Sequence, residues 1–286
     1  MMARAGKASL ADACRAGCLI ELPREGELLV TGDVHGNLEN FERIVEVAAL
    51  DAHPDRHLIL QEFVHSLALT PGGRDLSCVA LERQAELKLQ YPDRVHVLLG
   101  NHELSEFQGR KVYKDGRMLN SLFRRGVVSQ YGDDAPAVIQ AYRRYFRNLP
   151  LAALTRTKIL LCHSTPERRY VHRYDAGFFR RPPNLYDVVQ KTLVEELVWG
   201  RDFDADVADA FADRVGCELM IVGHTPCDDG YLVPSHRHVV IDCKDERAAY
   251  LLLKLNQPYS QKGVVNKISP LWPSGREPPC RTDAST

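Results

Sequence analysis

From Glu27 to Leu255, short apolar runs alternate with longer segments in which apolar and polar positions mix. ELLVTGD (27–33), HLILQ (57–61) and RVHVLLGN (94–101) have the length and composition of strands. The segments between them, NLENFERIVEVAAL (37–50) and LSCVALERQAELKLQ (76–90), are long enough for helices. In the first, Leu38, Phe41, Ile44, Val45 and Ala48 recur at helical spacing, which predicts one apolar face packed on a sheet. The second half continues with APAVIQAYRRYFRNLP (135–150) as helix, TKILLCHS (157–164) as strand, NLYDVVQKTLVEELVW (184–199) as helix and CELMIVGHTP (217–226) as strand. HVVIDC (238–243) and AAYLLLKL (248–255) close the pattern as antiparallel strands. Alternation of this kind implies an α/β fold. Beyond Leu255 the composition turns to Pro, Ser, Gly and Lys without periodicity, so the expectation is a folded domain over 1–255 and a flexible C-terminal tail over 256–286.

Charge adds little to this picture. The 37 basic and 38 acidic residues nearly cancel, so nothing in the bulk electrostatics points to nucleic acid or a membrane surface, and a substrate signal must be local. The apolar stretch from Cys18 to Leu22 is too short for a signal peptide and contains Glu21. No stretch approaches the roughly 20 apolar residues of a membrane helix. Eight cysteines lie scattered without CxxC pairs, which reads as reduced thiols and a cytoplasmic location.

The chemistry collects at the strand ends. Asp33 and His35 stand in GDVHGN, Glu62 follows LILQ, Asn101 and His102 stand in GNHE, His163 in LLCHSTP and His224 in VGHTP. In α/β sheets the carboxyl ends of strands are where loops converge on a rigid edge and sites assemble. Asp33 and His35, two apart in an extended segment, point the same way, and the flanking glycines allow close approach of an ion. GNHE offers a neutral oxygen ligand and a histidine free for acid/base work, whereas the single His224 is by itself a weak signal.

Together these strings resemble the metallophosphoesterase signature, most closely its phosphoprotein-phosphatase branch, whose pattern runs GDxHG, GDxVDRG, GNHE, a later His after an apolar strand, and a final His. The resemblance covers Glu27 to Lys254 and implies a four-layer αββα sandwich: two mixed β-sheets faced by helices, with metals at one sheet edge. It implies that Asp33 and His35 bind one metal, that Asn101, His163 and His224 bind a second, and that Glu62 bridges the two. Oxygen and imidazole ligands without thiolates suit manganese, iron or zinc, with manganese the first choice. The implied activity is hydrolysis of a phosphate ester, in a phosphoprotein or a nucleotide, by a bridging hydroxide, with His102 protonating the leaving group.

The second motif departs from the pattern. GDxVDRG aligns with Gln61-Glu62-Phe63-Val64-His65-Ser66-Leu67, so the glycine is Gln61, the bridging Asp is Glu62, the Asp that orients the catalytic histidine is His65, and the phosphate-binding Arg is Ser66. Arg201, in LVWGR, resembles the Trp-x-Arg stretch of symmetrical diadenosine tetraphosphatases and is the expected replacement for that arginine, since a guanidinium fork matches two phosphate oxygens. Asn101 also belongs beside the substrate. What orients His102 stays open between Glu103, His65 and a water. The remaining histidines, His65 included, default to structural or surface roles. Two basic segments, 104–131 and 167–181, follow ligand-bearing strands and could overhang the site. Two rival readings are a dinucleoside polyphosphate hydrolase on the same site and a non-catalytic binding protein on a phosphatase fold.

Overall fold

The computed structural model describes residues 1–66, 68–182 and 193–273. Its strands are β1 (Arg15–Ala16), β2 (Leu19–Glu21), β3 (Glu27–Asp33), β4 (Arg56–Gln61), β5 (Val95–Leu98), β6 (Tyr113–Lys114), β7 (Arg117–Met118), β8 (Ala152–Leu154), β9 (Ile159–Cys162), β10 (Leu219–Val222), β11 (Tyr231–Leu232), β12 (His238–Ile241), β13 (Ala249–Lys254) and β14 (Ile268–Pro270). One sheet runs β1-β2-β8-β9-β10-β12-β11 and the other β14-β13-β3-β4-β5. Both are mixed: β9, β10 and β12 are parallel, as are β3, β4 and β5, while β13 pairs antiparallel with β3 and β8 with β9.

Period-2 alternation assigns the two faces of each strand. Leu28 and Val30 of β3, Ile159 and Leu161 of β9, Ile221 of β10 and Ile241 of β12 meet between the sheets. Their neighbours Leu29, Leu160, Met220 and Val240 face the helices on the outside. Helices α1 (Met2–Leu10), α2 (Leu38–Ala48), α3 (Ser77–Gln90), α4 (Asn101–Gln108), α5 (Leu119–Tyr131) and α6 (Ala135–Phe146) contribute to that outer packing. In α2 the expected face is in place, with Phe41, Ile44 and Ala48 buried and the Asn37 side chain accepting from the Asn40 N–H at the N-cap. This is the four-layer α/β sandwich that the motifs imply.

Two features depart from the sequence reading. β12 and β13 do not pair with each other: β12 lies parallel to β10 and antiparallel to β11 in one sheet, and β13 is in the other. Residues 256–273 are not a loose tail, because β14 pairs with β13, Val264 and Leu271 are buried, and Trp272 donates its indole N–H to Asn40 Oδ1 at 2.8 Å. Residues 274–286 lie outside the described residues. Of the helix expected over 184–199, Leu193–Trp199 is helical and 184–192 lie outside the described residues.

A candidate metal centre where the two sheets meet

The parallel strands of both sheets end along one edge, and each end delivers one part of a cluster. β3 ends at Asp33 with His35 just beyond, β4 leads into Glu62, and β5 leads through Gly100 into the first turn of α4, which carries Asn101 and His102. β9 delivers His163 and β10 delivers His224. The backbone is bent to do this: His35, Glu62, His65 and His224 hold φ of 48°, 50°, 66° and 63°, a left-handed conformation that non-glycine residues adopt at a cost and that concentrates at functional sites. Two glycines of the motifs are required by space. A Cβ on Gly100 would lie 2.0 Å from Glu62 Oε2, and one on Gly223 would lie 2.4 Å from Asp33 Oδ1.

Glu62 is the hub. Its Oε1 lies 3.7 Å from His35 Nε2 and 3.5 Å from His102 Nε2, while Oε2 lies 3.2 Å from His163 Nε2. One donor group thus comprises His35, Glu62 and His102, and another Asp33, Glu62 and His163, so the glutamate belongs to both. His163 Nε2 also lies 2.8 Å from Asn101 Oδ1, and His224 Nδ1 lies 2.9 Å from the same oxygen. Asp33 Oδ2 is 4.0 Å from His35 Nε2, and Asp33 Oδ1 is 3.7 Å from His163 Nδ1. All six ligand candidates from the motifs, with His102, therefore converge. Arg201 joins them from the segment after Trp199, donating to the His224 carbonyl at 3.1 Å.

The electrostatics of this cluster fit a cation. Burial, followed by the charge of Asp242, pushes Asp33 up to about 8. Burial and the neighbouring Asp33 and Glu103 push Glu62 well above the carboxylate range. Burial pushes His35 down to about 4, and burial with Arg201 pushes His224 down to about 3. His163 and His102 fall well below the usual imidazole value for the same first reason. The imidazoles are therefore neutral with lone pairs to give, and the carboxylates are crowded together with Arg201 and Lys244 offsetting only part of their charge. Divalent ions answer both conditions.

The departures in the second motif turn out to be structural partners of the site. Gln61 donates to the Thr31 carbonyl at 3.2 Å and presents its Oε1 to His163 Nδ1 at 3.0 Å, which leaves His163 Nε2 to face Glu62 and Asn101. Ser66 does not take the arginine's place: its N–H goes to Asp75 Oδ2 and its hydroxyl to the Ala68 carbonyl. Glu103 does not orient His102, because its Oε1 accepts from the backbone N–H groups of Phe63 and Val64 at 2.7 and 3.1 Å and so clamps the loop behind Glu62. His65 contacts His102 instead, Nδ1 to Nδ1 at 2.6 Å. Gln61 and His65 are thus two of the positions at which the second motif departs from the family pattern, and both contact residues of the site.

The basic segments differ in how they are used. The Arg110 guanidinium lies 4.3 Å above the Trp199 ring, which in turn stacks on His102 at 6.3 Å and meets His224 edge-on at 6.1 Å, so the first segment does reach the rim. In the second, Arg168 pairs with Asp204 and Asp206, Arg169 with Glu167, Arg180 with Glu21 and Arg181 with Asp175, so most of its charge is spent locally.

A converging set of carboxylate, amide and imidazole donors stands at the joint edge of two mixed sheets, in the fold of a metallophosphoesterase. The chain belongs to the calcineurin-like phosphoesterase family, whose model matches residues 27–228. Among curated relatives, a protein of Encephalitozoon cuniculi named as a probable serine/threonine-protein phosphatase is 26% identical over 276 residues. That match covers 89% of this chain but only 56% of the relative. Among solved structures, a protein serine/threonine phosphatase from Saccharomyces cerevisiae superposes with a TM-score of 0.64 at 14% identity, covering 93% of this chain and 85% of the other. A cold-active protein-tyrosine phosphatase of a Shewanella species superposes with a TM-score of 0.59 at 15% identity, covering 87% and 80%.

Proposed function

We propose that this chain is a two-metal phosphomonoesterase acting on phosphorylated serine or threonine residues of proteins. The observation that carries the reading is the placement of Glu62, one carboxylate oxygen toward His35 and His102 and the other toward His163. Asp33 and His35 would hold one ion, Asn101, His163 and His224 the other, and Glu62 both. Manganese is the first ion to test, with iron or zinc compatible with the same donors. Bound there, the ions supply Lewis acidity toward the phosphoryl oxygens and an activated water.

The chain's own residues do the rest. Arg201 would use guanidinium N–H groups other than the one on the His224 carbonyl to bind two equatorial phosphoryl oxygens, and Asn101 would help to set the ester's position. His102 directs Nε2 into the same cavity and gives the proton it carries there to the departing serine or threonine oxygen. The protein substrate is supported by the name of the Encephalitozoon cuniculi relative. The free cysteines among the described residues accord with a reducing, cytoplasmic setting.

Elemental analysis paired with hydrolysis of an aryl phosphate in manganese tests the reading, for wild type and Glu62→Ala. About two ions per chain, with turnover lost in the variant, is the expected result. A wild type that holds at most one ion and turns over no phosphoester would sink it. Faster hydrolysis of diadenosine polyphosphates than of phosphopeptides would move the substrate to the nucleotide class.

A further inference from the structure

Behind His102 runs a chain of buried hydrogen bonds that the activity proposed above does not by itself require. His65 Nδ1 lies 2.6 Å from His102 Nδ1, and His65 Nε2 lies 3.0 Å from Glu106 Oε1. Glu106 Oε1 also faces Asn120 Nδ2 at 2.6 Å, and Asn120 Oδ1 accepts from the Val112 backbone N–H at 2.8 Å. His65, Glu106 and Asn120 are 0, 1 and 4% exposed, so none of these atoms exchanges its partner for water freely.

The direction of each bond follows from the far end. A backbone N–H can only donate, so Asn120 must turn its oxygen to Val112 and its NH2 to Glu106. Glu106 Oε1 is then an acceptor, and the ring nitrogen that faces it, His65 Nε2, carries a hydrogen. In the neutral arrangement a His65 with its proton on Nε2 has only a lone pair on Nδ1, and His102 then donates from its own Nδ1. What remains on His102 is Nε2, which points at Glu62 Oε1 3.5 Å away in the metal cavity. We infer that Glu106 and Asn120, acting through His65, are positioning residues that fix the tautomer of His102 and leave its Nε2 as the atom that exchanges a proton with the substrate.

This inference rests on the phosphoesterase reading for its consequence but not for its geometry. When His102 carries a proton on Nε2, the resulting imidazolium donates from Nδ1 to His65, and His65 donates from Nε2 to Glu106, so a carboxylate stands one imidazole away from the positive charge. When the Nε2–H bond breaks and the proton joins the leaving oxygen, Nδ1 keeps its hydrogen and the chain returns to the neutral arrangement. Glu106 lies four residues after His102 on α4, one turn along the same helix face, and the loop after β4 inserts His65 between them. His65 is held there by its N–H bond to Ser77 Oγ at 3.1 Å and by an edge-on contact with Phe123.

The test is the tautomer itself, read by nitrogen-15 NMR of histidine-labelled, metal-depleted protein, alongside turnover of the manganese-loaded enzyme. Wild type should show His102 protonated at Nδ1 and His65 at Nε2. Glu106→Leu and His65→Leu should each lose that preference and lower kcat about 100-fold, the scale of a misdirected general acid, with KM within about twofold. His65→Asp, which offers a carboxylate oxygen directly to His102 Nδ1, should recover most of kcat while metal content stays constant. A wild-type His102 protonated at Nε2, or His65→Asp as slow as His65→Leu with both folded, overturns the inference. An Nδ1-protonated His102 in a wild type that hydrolyses no phosphoester upholds the hydrogen-bond assignment and removes the activity it was meant to serve.

Discussion

Two histidine pairs with carboxylates behind them lie at opposite ends of the same strands. At the carboxyl end stand His102, His65 and Glu106; at the amino end of β4 and β5, His57 Nδ1 lies 3.0 Å from His96 Nε2, and His96 Nδ1 lies 2.8 Å from Asp12 Oδ2. The difference is what closes each chain. Asp12 is capped by the buried ammonium of Lys88 at 2.7 Å, so its charge is already matched inside the fold. Among the described residues no lysine or arginine meets the Glu106 carboxylate, which faces His65 and Asn120, so a positive charge arising on the imidazoles finds it unmatched. Cys14 joins His57 and His96 within ligand distance of each other, yet the geometry there suits a hydrogen bond. The rings are within 6° of parallel, and centroids 5.3 Å apart place the two nitrogens on the line between them. An ion between lone pairs that point at each other would need about 4 Å from nitrogen to nitrogen. One end is therefore built to hold the N-terminal segment on the sheet, and the other to move a proton.

Removing one histidine from each end separates the two roles most strongly. His102→Ala is expected to lower kcat about 1,000-fold, with metal content unchanged and little shift in melting temperature. His96→Ala should leave kcat per folded molecule within about twofold while lowering the melting temperature. Loss of metal in His102→Ala would make His102 a ligand, and an inactive but fully stable His96→Ala would tie the amino end to catalysis; either result breaks the contrast.

The next effect concerns charge. Burial alone would raise Asp12, but hydrogen bonds and charges from His96 and Lys88 outweigh it and hold the carboxyl well below its usual value. Asp12→Ala strands the Lys88 ammonium in the interior and should cost about 3 kcal/mol in urea unfolding, whereas Asp12→Ala with Lys88→Met should recover much of it. Glu106→Leu strands only neutral donors and should cost about 1 kcal/mol. Equal costs for the two carboxylates would mean that both ends are ordinary buried ion pairs.

How legible this was in the sequence depended on the range over which each feature is made. The strands β3, β4, β5, β9, β10, β12 and β13 are written in apolar runs that both sheets reuse, so the sandwich could be read directly, together with the strand-end placement of the candidate ligands Asp33, His35, Glu62, Asn101, His163 and His224. β1 and β2 are two and three residues long, and β2 is a strand because it pairs with β8 far along the chain, a contact that no local pattern encodes. The segment after Leu255 lacks periodicity because a single short strand and two buried residues, Val264 and Leu271, dock it. His65 and Gln61 read as losses against a family pattern, since a motif scores positions while their partners, Glu106 and His163, lie 41 and 102 residues away. The one local signal was His102 and Glu106 at a spacing of four in NHELSE, which puts them on one helix face.

The smallest expected effect is in the pH dependence of stability. Burial, then the neighbouring His96, holds His57 at about 4 in the folded protein, against an ordinary value of 6.5. His96 is lowered as well, again by burial first. Between pH 6.5 and 4 the unfolded chain therefore binds protons that these imidazoles refuse in the fold, so their contribution to stability falls as pH falls through that window. Asp12 adds a further loss only at lower pH, below the ordinary carboxylate value, because its folded form resists protonation. In urea unfolding at pH 7 and pH 5, metal-depleted His57→Gln should lose less stability on acidification than wild type, by about one proton's worth of slope. The imidazoles of the candidate site, His35 and His224, are depressed too and contribute equally to both proteins, so they cancel in the difference. Identical slopes would mean that His57 takes up its proton in the folded state, and the amino-end chain could then open and charge as the carboxyl-end chain is built to do.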